Sequence, residues 1–267
     1  MTSFTGAERK IDRAREHVNA LDKAINRFLE TEPYAAERRL KARDRIHEYV
    51  LVRYTEPPDC LGLLVGDAVH NLRSALDHVA FELALKGAQA IGHTMTSEQA
   101  RRIQYPVVDC STDFKSQLNR GCLRYVESVP KAFIERHQPY NLNPEHPERT
   151  VLACLASLDN TDKHRTVVTT SHTVRFQPDY SGLPEGVPPP RLTLPRNATW
   201  GLGAVVARFR FTQPESEVDM QFLPKFSIAI DGAWPPTRRA DEVLDFYAGW
   251  MELFVLGQIR EWVRLNP

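Results

Sequence analysis

The segment from Cys60 to Leu85 constrains the fold most tightly, because its apolar residues recur at helical spacing while its other positions carry an unusual set of polar groups. Projected at about 100° per residue, Leu61, Ala68, Leu72, Ala75, Leu76, Val79 and Leu83 fall on one arc. Asp67, His70, Asn71, Arg73, Ser74, Asp77 and His78 fall on the other. The first arc belongs in a core. The second departs from ordinary solvated helix faces, which favour Lys and Glu for their long stems and high helix propensity. Gly66 through His78 is therefore a candidate site carried on a helix, with Pro57-Pro58-Asp59 at its start, Asp59 as N-cap, and Gly87 as its stop.

Around this helix the pattern alternates between helical and extended stretches. Ile11, Ala14, Val18, Leu21, Ile25 and Phe28 predict a long amphipathic helix from Thr5 to Thr31, ended by Pro33. Residues 34–54 read as a β-hairpin about the Arg43-Asp44-Arg45 turn. A short strand is expected at Tyr105 to Val108, short helices near Thr112 to Leu118 and Pro130 to His137, and a break at Gln138-Pro139-Tyr140-Asn141. Val151, Leu152, Cys154, Leu155 and Leu158 mark a buried helix over 148–158 that delivers a second polar cluster, Asp159 through Arg165, at its end. Thr166 to Phe176, Ala204 to Thr212 and Val218 to Ile230 read as strands, joined by a Pro-rich surface loop over 178–195. Pro235-Pro236 introduces a last helix, Ala240 to Leu265, so apolar in its middle that it is either central to a bundle or covered by a partner chain. The expected class is α+β: a helical bundle over 1–165 with the hairpin at 34–54, an antiparallel β region over 166–235, and a helix over 236–267 that packs back on the bundle in one composite domain.

A chain of 267 residues with 42% hydrophobic content can bury a sizeable core without a metal or disulfide staple. Its 34 basic and 34 acidic residues exclude a protein that holds nucleic acid mainly by a strong overall positive field, while leaving room for a local basic patch. Cys60, Cys110, Cys122 and Cys154 form no Cys-x-x-Cys pair, which points to reduced, buried thiols rather than a zinc site. Residues 1–10 lack the apolar core of a secretion signal and no stretch reaches membrane-span length, so a cytoplasmic protein is expected. No cofactor is implied. Trp200, Trp234, Trp250 and Trp262 are expected in the core or an interface, and His17, His47, His93, His137, His146 and His172 as ordinary surface or core residues.

Two blocks, Gly66 to His78 and Leu158 to Arg165, together resemble a group of uncharacterised bacterial and phage proteins that share both. Leu72-Arg73-Ser74-Ala75-Leu76-Asp77-His78 also resembles the Arg-x4–6-His signature of the HEPN superfamily, helical bundles in which that motif serves metal-independent RNA cleavage in many toxins and defence proteins. The resemblance implies a HEPN-like bundle that binds RNA or cleaves it without a metal, in a phage-defence or toxin role. Such cleavage needs a base for the 2′-OH, a cation for the charge developing at phosphorus and a proton for the leaving oxygen. Histidine titrates near pH 6.5 and can give or take that proton, and an arginine fork holds phosphate. Arg73, His78 and His164 are thus the candidate catalytic residues, and His70, Asn71, Lys163 and Arg165 the candidate substrate contacts. Facing copies in a homodimer, joined through the last helix or the bundle, would supply both acid and base.

Two other readings use the same residues. In a non-catalytic dimeric scaffold, Arg73 and Asp77 form an i,i+4 ion pair, Asp67 favours the helix dipole, and His70 and His78 tie loops to the helix. In a metal-binding bundle hydrolase, His70, His78 and His164 would be ligands, with Asp77 or Asp162 as carboxylate partners. The sequence has no His-x3-His or His-Glu-x2-His pair to place two ligands on adjacent turns.

Overall fold

The computed structural model describes residues 4–41, 45–164, 169–176, 188–194, 201–212, 224–235 and 238–266, leaving out the side chains of 164, 169–176 and 224–225. The chain is α+β and divides into two compact units, one comprising 1–23, 59–168 and 230–267, the other 24–58 and 169–229.

The first unit is helical. It contains the N-terminal part of α1 (Thr5–Glu30), then α2 (Asp59–Ala90), α3 (Ser97–Arg102), α4 (Ser111–Asn119), α5 (Ser128–Arg136), α6 (Pro139–Leu142) and α7 (Val151–His164). All seven residues of the apolar arc of α2 are buried, together with Val65, Val69, Ala80 and Ala84. Ile11, Ala14, Val18 and Leu21 of α1 and Leu152, Leu155 and Leu158 of α7 are buried as well. The last helix begins as α8 (Ala240–Trp250), passes through a π-helical stretch (Met251–Gly257) and ends as α9 (Gln258–Leu265). Leu253 and Phe254 in the π-helical stretch remain exposed.

The second unit carries the strands. The hairpin expected within the bundle's span is present as β1 (Tyr34–Lys41) and β2 (Ile46–Tyr54), but it shares its sheet with later strands. The later strands, in chain order, are β3 (Thr169–Phe176), β4 (Arg191–Thr193), β5 (Val205–Arg210) and β6 (Pro224–Ile230). The larger sheet runs β1-β2-β5-β4 with antiparallel neighbours, and β3 pairs with β6. Tyr34 meets Phe28 edge-on and packs at a tilt against Tyr54 and Phe226, and Tyr49 meets Phe209 edge-on, so two aromatic pairs, Tyr34–Tyr54 and Tyr49–Phe209, link neighbouring strands of the larger sheet. Glu48 is buried on β2 yet paired twice, with Lys41 Nζ at 2.6 Å and Arg208 Nε at 2.7 Å.

Several local expectations change. Gly87 does not stop α2, which continues to Ala90; a Cβ there would stand 1.9 Å from the Tyr125 carbonyl oxygen. Its missing side chain lets another segment approach, and the left-handed turn comes at Gly92, φ +66°. Residues 105–108 form no strand, because side chains satisfy their backbone instead. Gln138, expected in a break, precedes the single turn of α6 and bonds the Val108 amide at 3.1 Å and the Pro106 carbonyl at 2.9 Å. Asp159 through His164 do not follow α7 but form its last turns. Within the Pro-rich loop, 178–187 and Pro195 lie outside the described residues, while 191–193 form β4. Arg43, Asp44 and the expected strand residues 166–168 and 218–223 also lie outside them. Cys122 and Cys154 are buried, and burial pushes the Cys122 thiol up to about 11; Cys60 and Cys110 are instead exposed, being surface positions at or near helix starts. Among the described residues, no helix is long and apolar enough to cross a membrane.

Candidate functional site

The polar arc of α2 splits into two stripes that meet different partners. Gly66, His70, Arg73 and Asp77 follow each other at steps of three and four and form one stripe; Asp67, Asn71, Ser74 and His78 form the other.

Along the first stripe, α7 packs antiparallel on α2. Gly66 lies under Asp162, where a Cβ would come within 2.0 Å of the carboxylate oxygen Oδ1. One turn on, His70 Nδ1 stands 3.3 Å from Asp159 Oδ1, and Lys163 Nζ reaches Oδ2 of the same carboxylate at 2.6 Å. The Asp159 side chain is 5% exposed, whereas those of His70 and Lys163 are 59% and 58% exposed. A shielded carboxylate thus stands behind an imidazole and an ammonium that face solvent. Burial raises the Asp162 carboxyl above the usual aspartate range, with Asp67 and Asp159 adding to the rise and His70 opposing it.

Farther along the same stripe, Arg73 Nη2 donates to the Tyr105 carbonyl at 2.7 Å, and Asp77 Oδ1 accepts the Tyr105 amide at 2.9 Å. Arg73 Nη1 and Asp77 Oδ1 are 3.1 Å apart. Both polar groups of one backbone residue are therefore clamped by an i,i+4 ion pair. The Tyr105 side chain is fully buried behind them, which raises its phenol, while the Arg73 charge opposes the rise.

The second stripe faces α1. Asn71 donates to the Asp67 carbonyl at 2.8 Å and accepts from Lys10 Nζ at 3.3 Å; His17 Nδ1 lies 3.6 Å from Asp67 Oδ2. The His78 ring lies against Gly6, whose absent Cβ would meet Nδ1 at 2.8 Å. Burial raises Glu82, one turn beyond, and the His78 charge opposes this.

Arg73 and His78 consequently diverge by about 140° around the helix, one toward Tyr105 and the other toward α1. His70 and Lys163 do converge, on Asp159, and Asn71 lies on the stripe beside them. His164 ends α7; its side chain and all of Arg165 lie outside the described residues. Among the described residues, no three His, Cys, Asp or Glu side chains are arranged to hold a metal ion. Lys10 and His17 were not expected here, although their i,i+7 spacing on α1 puts them on one face, which is the signal that would have found them.

Comparison with protein-family models, curated proteins and solved structures found no match.

Proposed function

We propose that the chain is a HEPN-like RNA-binding or metal-independent RNA-cleaving protein in which His70 transfers the proton and Lys163 meets the phosphate. The observation that carries this reading is the exposed His70 imidazole oriented by the nearly buried Asp159 carboxylate, with Lys163 on the other carboxylate oxygen. Such a carboxylate fixes the ring's orientation. Arg73, already engaged by Tyr105 and Asp77, serves in this reading to hold the site's wall, one turn from His70. A homodimer through the last helix is part of the proposal and is supported by exposed Leu253 and Phe254.

The test is incubation of the purified protein with tRNA, rRNA and mRNA in EDTA. Cleavage is expected, with His70→Ala reducing the rate about 100-fold or more while circular dichroism stays unchanged. Absence of both cleavage and binding on all three RNAs overturns the reading. Light scattering tests the dimer, which a Leu253→Glu change should dissociate.

A scaffold reading has its own support in the Arg73–Tyr105–Asp77 clamp, which ties a loop to α2 and commits Arg73 to the Tyr105 backbone. Under it, Arg73→Ala lowers stability and RNA has no effect on any variant.

A further inference from the structure

A second polar and aromatic site lies in the helical unit, on residues the His70 site does not use. A cavity of about 420 Å³ is lined by Arg149, Trp234, Arg238, Phe246 and Trp250, with Asn143 and Thr150 among its polar groups. Among the described residues, no acidic side chain lines it. Its size falls in the range of pockets for small organic ligands.

The construction of this pocket is specific. Trp234 is 41% exposed, yet its backbone is held at both polar groups by one buried hydroxyl: Tyr247 Oη accepts its amide at 3.2 Å and donates to its carbonyl at 2.7 Å. Tyr247 itself is fully buried. A large indole is thus kept at the surface by a rigid support rather than drawn into the core. Arg149 lies over the Trp234 ring at 5.2 Å, and Arg238 over the Phe246 ring at 5.8 Å. A guanidinium held over an aromatic ring keeps N–H groups for an anion. Arg149 Nε faces Glu148 at 3.5 Å, and among the described residues no carboxylate pairs with Arg238. Thr150, which follows Arg149, bonds the Pro147 carbonyl and accepts from the Ala153 amide, anchoring that arginine at the start of α7.

Aromatic walls suit a planar ring, and two fixed guanidinium groups suit a phosphate. We propose that this pocket binds a nucleotide, with its base against the aromatic side chains and its phosphate between Arg149 and Arg238. The same chemistry is offered by a free mononucleotide and by an unpaired nucleotide of a single strand. The assignment is independent of catalysis at His70, so either can fail alone.

Tryptophan fluorescence and calorimetry on the full chain test it, with AMP, UMP, adenosine, and decamers of A and U as probes. Saturable binding of a mononucleotide or a decamer is expected, with adenosine at least tenfold weaker than AMP. Tighter binding of the decamers identifies the strand as the source, and binding confined to mononucleotides identifies the free ligand. Arg149→Ala and Arg238→Gln should each weaken binding about tenfold or more, Trp234→Ala should remove most of the quenching, and Arg264→Ala should stay within twofold of the parent. Thermal melts confirm that the variants fold. Absence of saturation with every probe at millimolar concentration overturns the proposal, as does binding that survives unchanged in both arginine variants.

Discussion

Asp162 rests on Gly66, and its carboxyl is held above the ordinary range by burial and by its neighbours Asp67 and Asp159. A carboxyl with a raised folded-state pKa favours folding while it is protonated and loses that contribution as pH climbs through the folded value. At neutral pH its charge is therefore a burden. Asp162→Asn keeps the shape and removes the charge, so it should raise the melting temperature near pH 7 by on the order of 1–2 °C, for less than about 1 kcal/mol. Thermal melts from pH 3 to 8 should show the gain fading on acidification, where the parent's own carboxyl is neutral. A gain independent of pH would contradict this account. The residue scale also explains what the sequence hid. His70 and Asp159 are separated by 89 positions and Asp77 and Tyr105 by 28, so neither contact has a local pattern to announce it. The partnership of Arg73 with Asp77 was visible as an i,i+4 pair, but its target, the Tyr105 backbone, was not.

At the scale of elements, the β-hairpin is fixed to its neighbour by Glu48, which stands opposite Arg208 in the β2–β5 register and is also bonded by Lys41. The Lys41 hydrogen bond, followed by that from Arg208, holds this carboxyl below its usual range against the opposing effect of burial. Its contribution is present above the unfolded carboxylate's pKa and lost as pH falls through the folded one. Glu48→Gln should cost about 1–2 kcal/mol near pH 7, and denaturant titrations should show that cost shrinking toward pH 3. Helices and hairpin were legible because apolar residues repeat at periods of 3.6 and 2, and those periods report burial directly. Elements whose backbone is satisfied by distant side chains leave no such mark. Residues 105–108 looked like a strand for their β-branched and aromatic content, yet Gln138, Arg73 and Asp77 complete their hydrogen bonds. Gly87 looked like a stop because glycine is a poor helix former by about 1 kcal/mol, and only the nearby Tyr125 carbonyl reveals its use.

At the scale of the molecule, the helical unit is closed by ion pairs between α1 and the last helix. Arg15 forms two hydrogen bonds to Glu252, at 2.6 and 2.7 Å; Arg260 pairs with Glu8, and Arg239, at the N-cap of α8, with Asp22. Side chains of Arg15 and Glu252 are each 37% exposed, so solvent screening limits the pair despite its bidentate geometry. A double-mutant cycle on Arg15→Ala and Glu252→Ala should return a coupling of about 0.5–1 kcal/mol that falls at high salt. Zero coupling at low salt would show that this pair does not help to hold the two helices together. That closure has a consequence for how the chain is made. Arg15 and Glu252 are 237 positions apart, and the unit draws on three separate stretches. During translation, α1 leaves the ribosome long before its ionic partners on the last helix are synthesised. A nascent chain interrupted before residue 240 lacks Glu252 and Arg260, so Arg15 and Glu8 stay without these partners until the final helix emerges.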